Sequence, residues 1–164
     1  GQPARVVAVC THNSRRSFMA QLWLAAAGVH RGVDVRAYSA GTESTAFNPR
    51  AVASLRRAGF DIEQATDDAN PTYLARLAPA LPPVVCFSKA VGADPLPREG
   101  MLALLVCTEA DGACPTVPGA AARFPIPFED PKAFDATPRE AAAYDERCAQ
   151  IAREMLYAVT RARP

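Results

Sequence analysis

The sequence has almost no net charge. Its 18 lysines and arginines stand against 17 acidic residues, a formal balance of +1. Binding to a phosphate backbone draws on a basic excess, so nucleic acid is not an expected partner. No apolar run approaches the roughly 20 residues that a membrane-spanning helix needs. No secretory pattern opens the chain either, so a membrane role is not expected and a cytoplasmic location is. Histidine is scarce: there are only His12 and His30, with no close cysteine pair beside either. A structural zinc site is therefore not expected, nor is any metal or cofactor. Internal repeats, low-complexity tracts and linker-like stretches are also missing, and residues 1–164 read as one domain.

What remains is an ordinary globular composition, 49% apolar and 21% charged, in a chain of 164 residues. That length can bury one sizeable core. Five cysteines stand out: Cys10, Cys86, Cys107, Cys114 and Cys148. In a short secreted domain they would read as a disulfide framework. A chain of this size can build its core from apolar side chains, so free thiols, some of them reactive, are expected. Cys86 lies in an apolar strand pattern and Cys148 on a helix's apolar stripe, and both are assigned to the core.

Strand and helix patterns alternate. Residues 4–10, ARVVAVC, form a β-branched run that ends at a turn, as a buried parallel strand does. Phe18, Leu22, Ala25 and Val29 then recur at helical spacing, and Gly32 is placed to stop that helix. A second strand runs through residues 33–41. Asn48, Pro49 and Gly59 frame a second helix as cap, first residue and terminator. A short helix is expected over 71–78, brief strands over 82–88 and 100–107, and a surface loop between those two strands. The proline-rich stretch 117–131 leaves room for at most one short strand. Thr137, Pro138 and Glu140 form a capping-box pattern ahead of a long helix striped by Tyr144, Cys148, Ile151, Met155 and Val159. The expected class is α/β, a three-layer fold with about four parallel strands flanked by helices.

Open parallel sheets bind ligands beyond the carboxyl ends of their strands, and Cys10 sits at such an end. The loop Thr11, His12, Asn13, Ser14, Arg15, Arg16 leads into a helix N-terminus. There, converging backbone N–H groups and the helix dipole favour a tetrahedral oxyanion. The same surroundings favour the thiolate of Cys10. Arg16 offers a planar fork for two anion oxygens, Ser17 a hydroxyl for the sulfur, and Asn13 a tie within the loop. Arg15 adds positive charge, and His12 is a further candidate donor to the anion.

The form Cys10, five residues, Arg16, Ser17 is the signature of cysteine-based phosphatases. Placed straight after the first strand, CTHNSRRSFMAQ resembles the loop of the low-molecular-weight protein tyrosine phosphatase superfamily. That resemblance implies a flavodoxin-like topology and a general acid in a late Asp-Pro pair, here Asp130 and Pro131. The stretch LLVCTEADGACP is similar to the thioredoxin-coupled arsenate reductases of the same superfamily, which carry two further cysteines at this spacing. GTE at 41–43, NPRAV at 48–52 and GFDI at 59–62 are similar too. The resemblance implies a relay: Cys10 attacks arsenate, Cys107 releases arsenite by forming a Cys10–Cys107 disulfide, and Cys114 moves the disulfide to Cys107–Cys114 for reduction by thioredoxin. Two alternatives stay open at this point. One is a low-molecular-weight phosphatase that hydrolyses phosphate monoesters through a Cys10 phosphocysteine. The other is an oxyanion-binding sensor, for which an acid at 130 would be superfluous. The chain departs from the family pattern with His12 for a usual Gly, Arg15 for a usual uncharged residue and Gln21 for a usual Glu.

Overall fold

The computed structural model describes residues 2–108 and 117–162. β1 (Ala4–Cys10), α1 (Arg16–Arg31) and β2 (Val35–Gly41) form a β-α-β unit. α2 (Pro49–Arg57) and β3 (Asp61–Gln64) follow, then β4 (Tyr73–Arg76), β5 (Val84–Cys86), β6 (Met101–Leu105) and β7 (Ala120–Pro125). A 3-10 turn, Pro131–Phe134, precedes the terminal helix α3 (Glu140–Arg161).

The main sheet has the order β2-β1-β6-β7, with all three pairings parallel. This matches the expected parallel sheet flanked by helices. β1 is its centre: Val7, Ala8 and Val9 are buried completely or nearly so, as befits a strand covered on both faces. The chain leaves β1 toward β2 on one side and returns as β6 on the other. The carboxyl end of β1 is therefore the switch point, where an open sheet leaves a crevice.

α1 ends where Gly32 takes a left-handed φ of 65° and turns its N–H back onto Gly28 and Val29. The buried face of α1 carries Phe18, Leu22 and Ala25, while the fourth stripe residue, Val29, is largely exposed at the last turn. α1 packs against α3, whose Tyr144, Cys148, Ile151, Met155 and Val159 are all buried as the spacing predicts. The Asn48 side chain accepts the Arg50 N–H at 2.9 Å, capping α2.

Three expectations are corrected. Residues 71–78 hold no helix: β4 pairs antiparallel with β3 on one side and β5 on the other, making a separate three-stranded sheet. In β4, Tyr73 and Ala75 are buried while Leu74 and Arg76 point outward, a period of two that a short apolar window cannot distinguish from a helix turn. β5 belongs to this second sheet and not to the parallel one. The helix at the C-terminal end begins at Glu140, with no side-chain cap at its first turn. Thr137 Oγ1 donates to the Phe134 carbonyl and accepts the Arg139 N–H at 3.3 Å just before that turn, while Glu140 accepts from the Ala136 N–H rather than from Thr137.

Gly41 closes β2 where the chain passes closest to the β1–α1 loop. A Cβ there would stand 2.3 Å from the Glu43 carbonyl oxygen, 2.6 Å from the Asn13 nitrogen and 2.7 Å from the Thr11 oxygen. Those are backbone atoms and cannot step aside cheaply. Gly41→Ala is expected to cost about 1–3 kcal/mol of overpacking strain, and Asn48→Ala about 1 kcal/mol for the lost cap. Urea unfolding checks both, and an unchanged midpoint in Gly41→Ala would show that the two segments are not held in contact.

Candidate active site

The loop from Thr11 to Arg15 is suspended by its carbonyls. Cys10 O accepts from Thr42 N at 3.1 Å, and Thr11 O accepts from Glu43 N at 3.0 Å and Thr42 Oγ1 at 3.1 Å. His12 O accepts from Thr45 Oγ1 at 2.8 Å and Ser88 Oγ at 3.3 Å, and Ser14 O from Asn48 N at 2.9 Å. Each of these four carbonyls is thus drawn outward to the 42–48 segment or to Ser88. Among the described residues the amides of Thr11, His12, Asn13, Ser14 and Arg15 donate to no protein oxygen. In a trans peptide the N–H opposes its C=O, so outward carbonyls leave the amides facing the concave side. Four such donors, the amides of Thr11, His12, Asn13 and Arg15, backed by the 16-residue α1, can take an oxyanion.

Asn13 makes the sharp bend, with a φ of 43°, a region that asparagine tolerates better than most residues. Its fully buried side chain works in two directions. Oδ1 accepts the Lys89 N–H at 2.8 Å, and Nδ2 donates to Ser17 Oγ at 2.8 Å. Ser17 Oγ lies 3.1 Å from Cys10 Sγ. With its oxygen occupied by Asn13, the hydroxyl can turn its own proton to the sulfur once Cys10 is ionised. Cys10 itself is nearly covered, at 4% exposure.

Arg16 does not point into solvent. Nη1 donates to the Phe128 carbonyl at 2.8 Å and Nη2 to Asp130 Oδ2 at 2.9 Å. Asp130 caps the 3-10 turn by accepting Lys132 N at 3.0 Å with its other oxygen. The sequence-predicted acid therefore stands next to the sequence-predicted anion fork, 114 residues apart in the chain.

The other two unusual loop residues face away from the cradle. Arg15 Nε donates to Tyr144 Oη at 2.8 Å, and its guanidinium lies 3.5 Å from Asp135. Tyr144 in turn donates to Asp135 at 2.8 Å. Burial, and then that bond to Asp135, push the Tyr144 phenol up to about 12, so it stays a neutral donor. Arg15 can thus serve the cradle through its amide while its side chain pins the loop to α3. His12 Nε2 lies 3.0 Å from Glu43 Oε1, with both side chains about half exposed at the rim.

Cys107 follows β6 and is fully buried. Its sulfur is 3.6 Å from Thr11 Oγ1, which places it against the first residue of the Cys10 loop. Val106 N donates to Val9 O at 2.9 Å, so the β1–β6 ladder continues up to these two cysteines, on strands about 4.8 Å apart. Cys114 lies outside the described residues. Cys10, Cys86 and Cys148 are free thiols. Cys86 and Cys148 sit in the core as expected: burial pushes the Cys86 thiol up to about 12, and Cys148 accepts from Trp23 Nε1 at 3.2 Å. Sequence reasoning missed the Phe128 carbonyl, the Ser88 hydroxyl and Lys89, because no local pattern marks a residue that acts through a distant loop.

The comparisons agree with this geometry. Residues 5–77 match the family model for low molecular weight phosphotyrosine protein phosphatase. The chain is 34% identical over 140 residues to the arsenate reductase of Bacillus licheniformis, covering 85% of this chain and 82% of that one. It is 30% identical over 139 residues to the arsenate reductase of Bacillus subtilis, again covering 85% and 82%. In solved structures the fold is similar to a low molecular weight protein tyrosine phosphatase from T. tengcongensis, at 20% identity and a TM-score of 0.65 over 97% of this chain and 99% of that one. It is also similar to an arsenate reductase from Archaeoglobus fulgidus, at 21% identity and a TM-score of 0.62 over 95% and 99%. With a nucleophile loop of this form and relatives of this length and identity, the chain belongs to the family of low-molecular-weight phosphatases and arsenate reductases.

Proposed function

We propose that this protein reduces arsenate to arsenite by passing oxidation from arsenic to its own thiols. The observation that carries the reading is Cys107, buried at the end of β6 with its sulfur 3.6 Å from the Thr11 hydroxyl, one strand over from Cys10. A hydrolase has no use for a second thiol there, since water completes its cycle.

Arsenate would enter the ring of amides from Thr11 to Arg15. Arg16 would exchange its Asp130 contact for two of the anion's oxygens, which frees the Asp130 carboxyl to carry a proton. The Cys10 thiolate attacks arsenic, an As–O bond breaks, and that oxygen leaves as water with the proton delivered by Asp130. Ser17, oriented by Asn13, steadies the sulfur before attack. The Cys107 thiolate then attacks Cys10 sulfur. The S–As electron pair stays on arsenic, so As(V) becomes As(III) while two thiols become one disulfide. Cys114 would attack Cys107 and release Cys10, and an external dithiol of the thioredoxin type would reduce the Cys107–Cys114 disulfide. Thiols that must be regenerated in each cycle fit a reducing, cytoplasmic location.

The same loop, Arg16 and Asp130 suffice for hydrolysis of a phosphate monoester through a Cys10 phosphocysteine. Low molecular weight phosphatases among the solved structures of this fold support that second reading. An assay with arsenate, thioredoxin, thioredoxin reductase and NADPH separates the two. Cys107→Ser is expected to abolish steady NADPH oxidation while p-nitrophenyl phosphate hydrolysis persists. Fast ester hydrolysis with no arsenate-dependent NADPH oxidation in the wild type would assign the protein to the phosphatases. Asp130→Asn is expected to slow either chemistry about 10²–10⁴-fold, the usual worth of a general acid, with arsenate or phosphate still protecting the fold against heat. Loss of that protection would place Asp130 in binding rather than proton transfer.

A further inference from the structure

The chain carries 16 arginines and only two lysines, Lys89 and Lys132. Lys132 is exposed on the 3-10 turn. Lys89 is buried at 5% exposure, directly after Ser88, whose hydroxyl holds the nucleophile loop. Its Nζ donates to the Phe87 carbonyl at 2.8 Å and to the Ser39 carbonyl at 3.1 Å, and it lies 4.6 Å from the centre of the Phe87 ring and 5.9 Å from that of Phe18. Ser39 pairs with Ala8, two residues before Cys10 on β1, and Phe18 is the residue after Ser17. The ammonium therefore sits beneath the loop, between the first turn of α1 and the ends of β1 and β2.

Four other cations at this end of the sheet each have a carboxylate. Arg16 faces Asp130, Arg15 faces Asp135, Arg50 faces Glu140, and His12 faces Glu43. Lys89 faces no acidic group among the described residues. The titratable group that acts on it is the buried Cys86 thiol on β5, whose proton burial holds firmly. Burial lowers Lys89 to about 8, which still leaves it charged at neutral pH. An unpaired buried charge is costly, and two backbone carbonyls offset only part of that cost. Such a charge has a purpose where an anion forms nearby, because the low dielectric that penalises it also strengthens its field.

We propose that Lys89 is a positioning residue whose ammonium serves as the internal counter-charge for the Cys10 thiolate and the oxyanion above it. The inference rests on Cys10 being the nucleophile and deepens that reading. Contact is indirect along one path: the Lys89 N–H holds Asn13, Asn13 holds Ser17, and Ser17 holds the sulfur. That path uses the backbone of Lys89 and would survive a side-chain change. The charge acts separately, through space.

The test is the pH dependence of Cys10 alkylation by iodoacetamide, with the modified residue identified by mass spectrometry. Lys89→Met keeps the length and the Asn13 bond but removes the charge. Its alkylation midpoint is expected about one pH unit above wild type, the order of shift that one nearby opposite charge produces. An unchanged midpoint overturns the proposal. A wild-type Cys10 that alkylates no more readily than a free cysteine would instead overturn the nucleophile reading itself. Should Lys89→Met fail to fold, the reciprocal measurement decides, read from the lysine side-chain NMR signals with exposed Lys132 as internal reference. In Cys10→Ser the Lys89 titration is expected at lower pH than in wild type, because its anionic neighbour is gone. Identical Lys89 titrations in the two proteins overturn the proposal as well.

Discussion

The architecture turns on which way a few peptide groups point. Backbone amides in water have no preference for an anion over solvent. They become a site when their carbonyls are committed elsewhere and their N–H groups are left converging. Here the commitment comes from the chain between β2 and α2: Thr42, Glu43, Thr45 and Asn48 take the carbonyls of Cys10, Thr11, His12 and Ser14, with Ser88 assisting. The close approach at Gly41 allows that segment to lie flat against the loop. Because the donors are set before any ligand arrives, little reorganisation is needed when charge develops in the cradle.

The charge around the cradle is organised in matching pairs, and each pair ties together parts of the chain far apart in sequence. Arg16 and Asp130 join the start of α1 to the segment before the 3-10 turn, so the fork and the acid cannot drift independently. Arg15, Tyr144 and Asp135 join the same turn of α1 to α3. Arginine suits these sites because its planar fork can hold two acceptors at once. The buried lysine departs from that pattern. Its compact ammonium fits a chamber with two carbonyls and two aromatic rings, where a guanidinium with five donors would leave several unmet.

Much of this was legible from residues alone, where the physics is local. A β-branched run ending at Cys10, a helix striped by Phe18 and Leu22, and an Asn-Pro start to α2 are each determined by neighbours a few positions away. The spacing from Cys10 to Arg16 likewise marks a loop before a helix, whatever surrounds it. The pattern at 71–78 misled because four residues of alternating exposure and one turn of helix look the same without their partners. Tyr73 and Ala75 became strand residues when β3 and β5 supplied the hydrogen bonds. The capping box formed only in part: Thr137 accepts the Arg139 N–H, but Glu140 reaches back to the Ala136 N–H, one residue short of Thr137.

The sequence by itself determined the parallel α/β frame and a loop from Cys10 into a helix with Arg16 at its start, because periodicity and spacing act over a few residues. Asp130 was singled out only by the resemblance to a known family. Only the tertiary structure decided that Arg16 meets Asp130, that Cys107 rests on Thr11, that Arg15 and His12 turn outward, and that a lysine lies under the loop. Those are meetings between residues tens of positions apart. They depend on which strand ends lie side by side, and no local pattern carries that information.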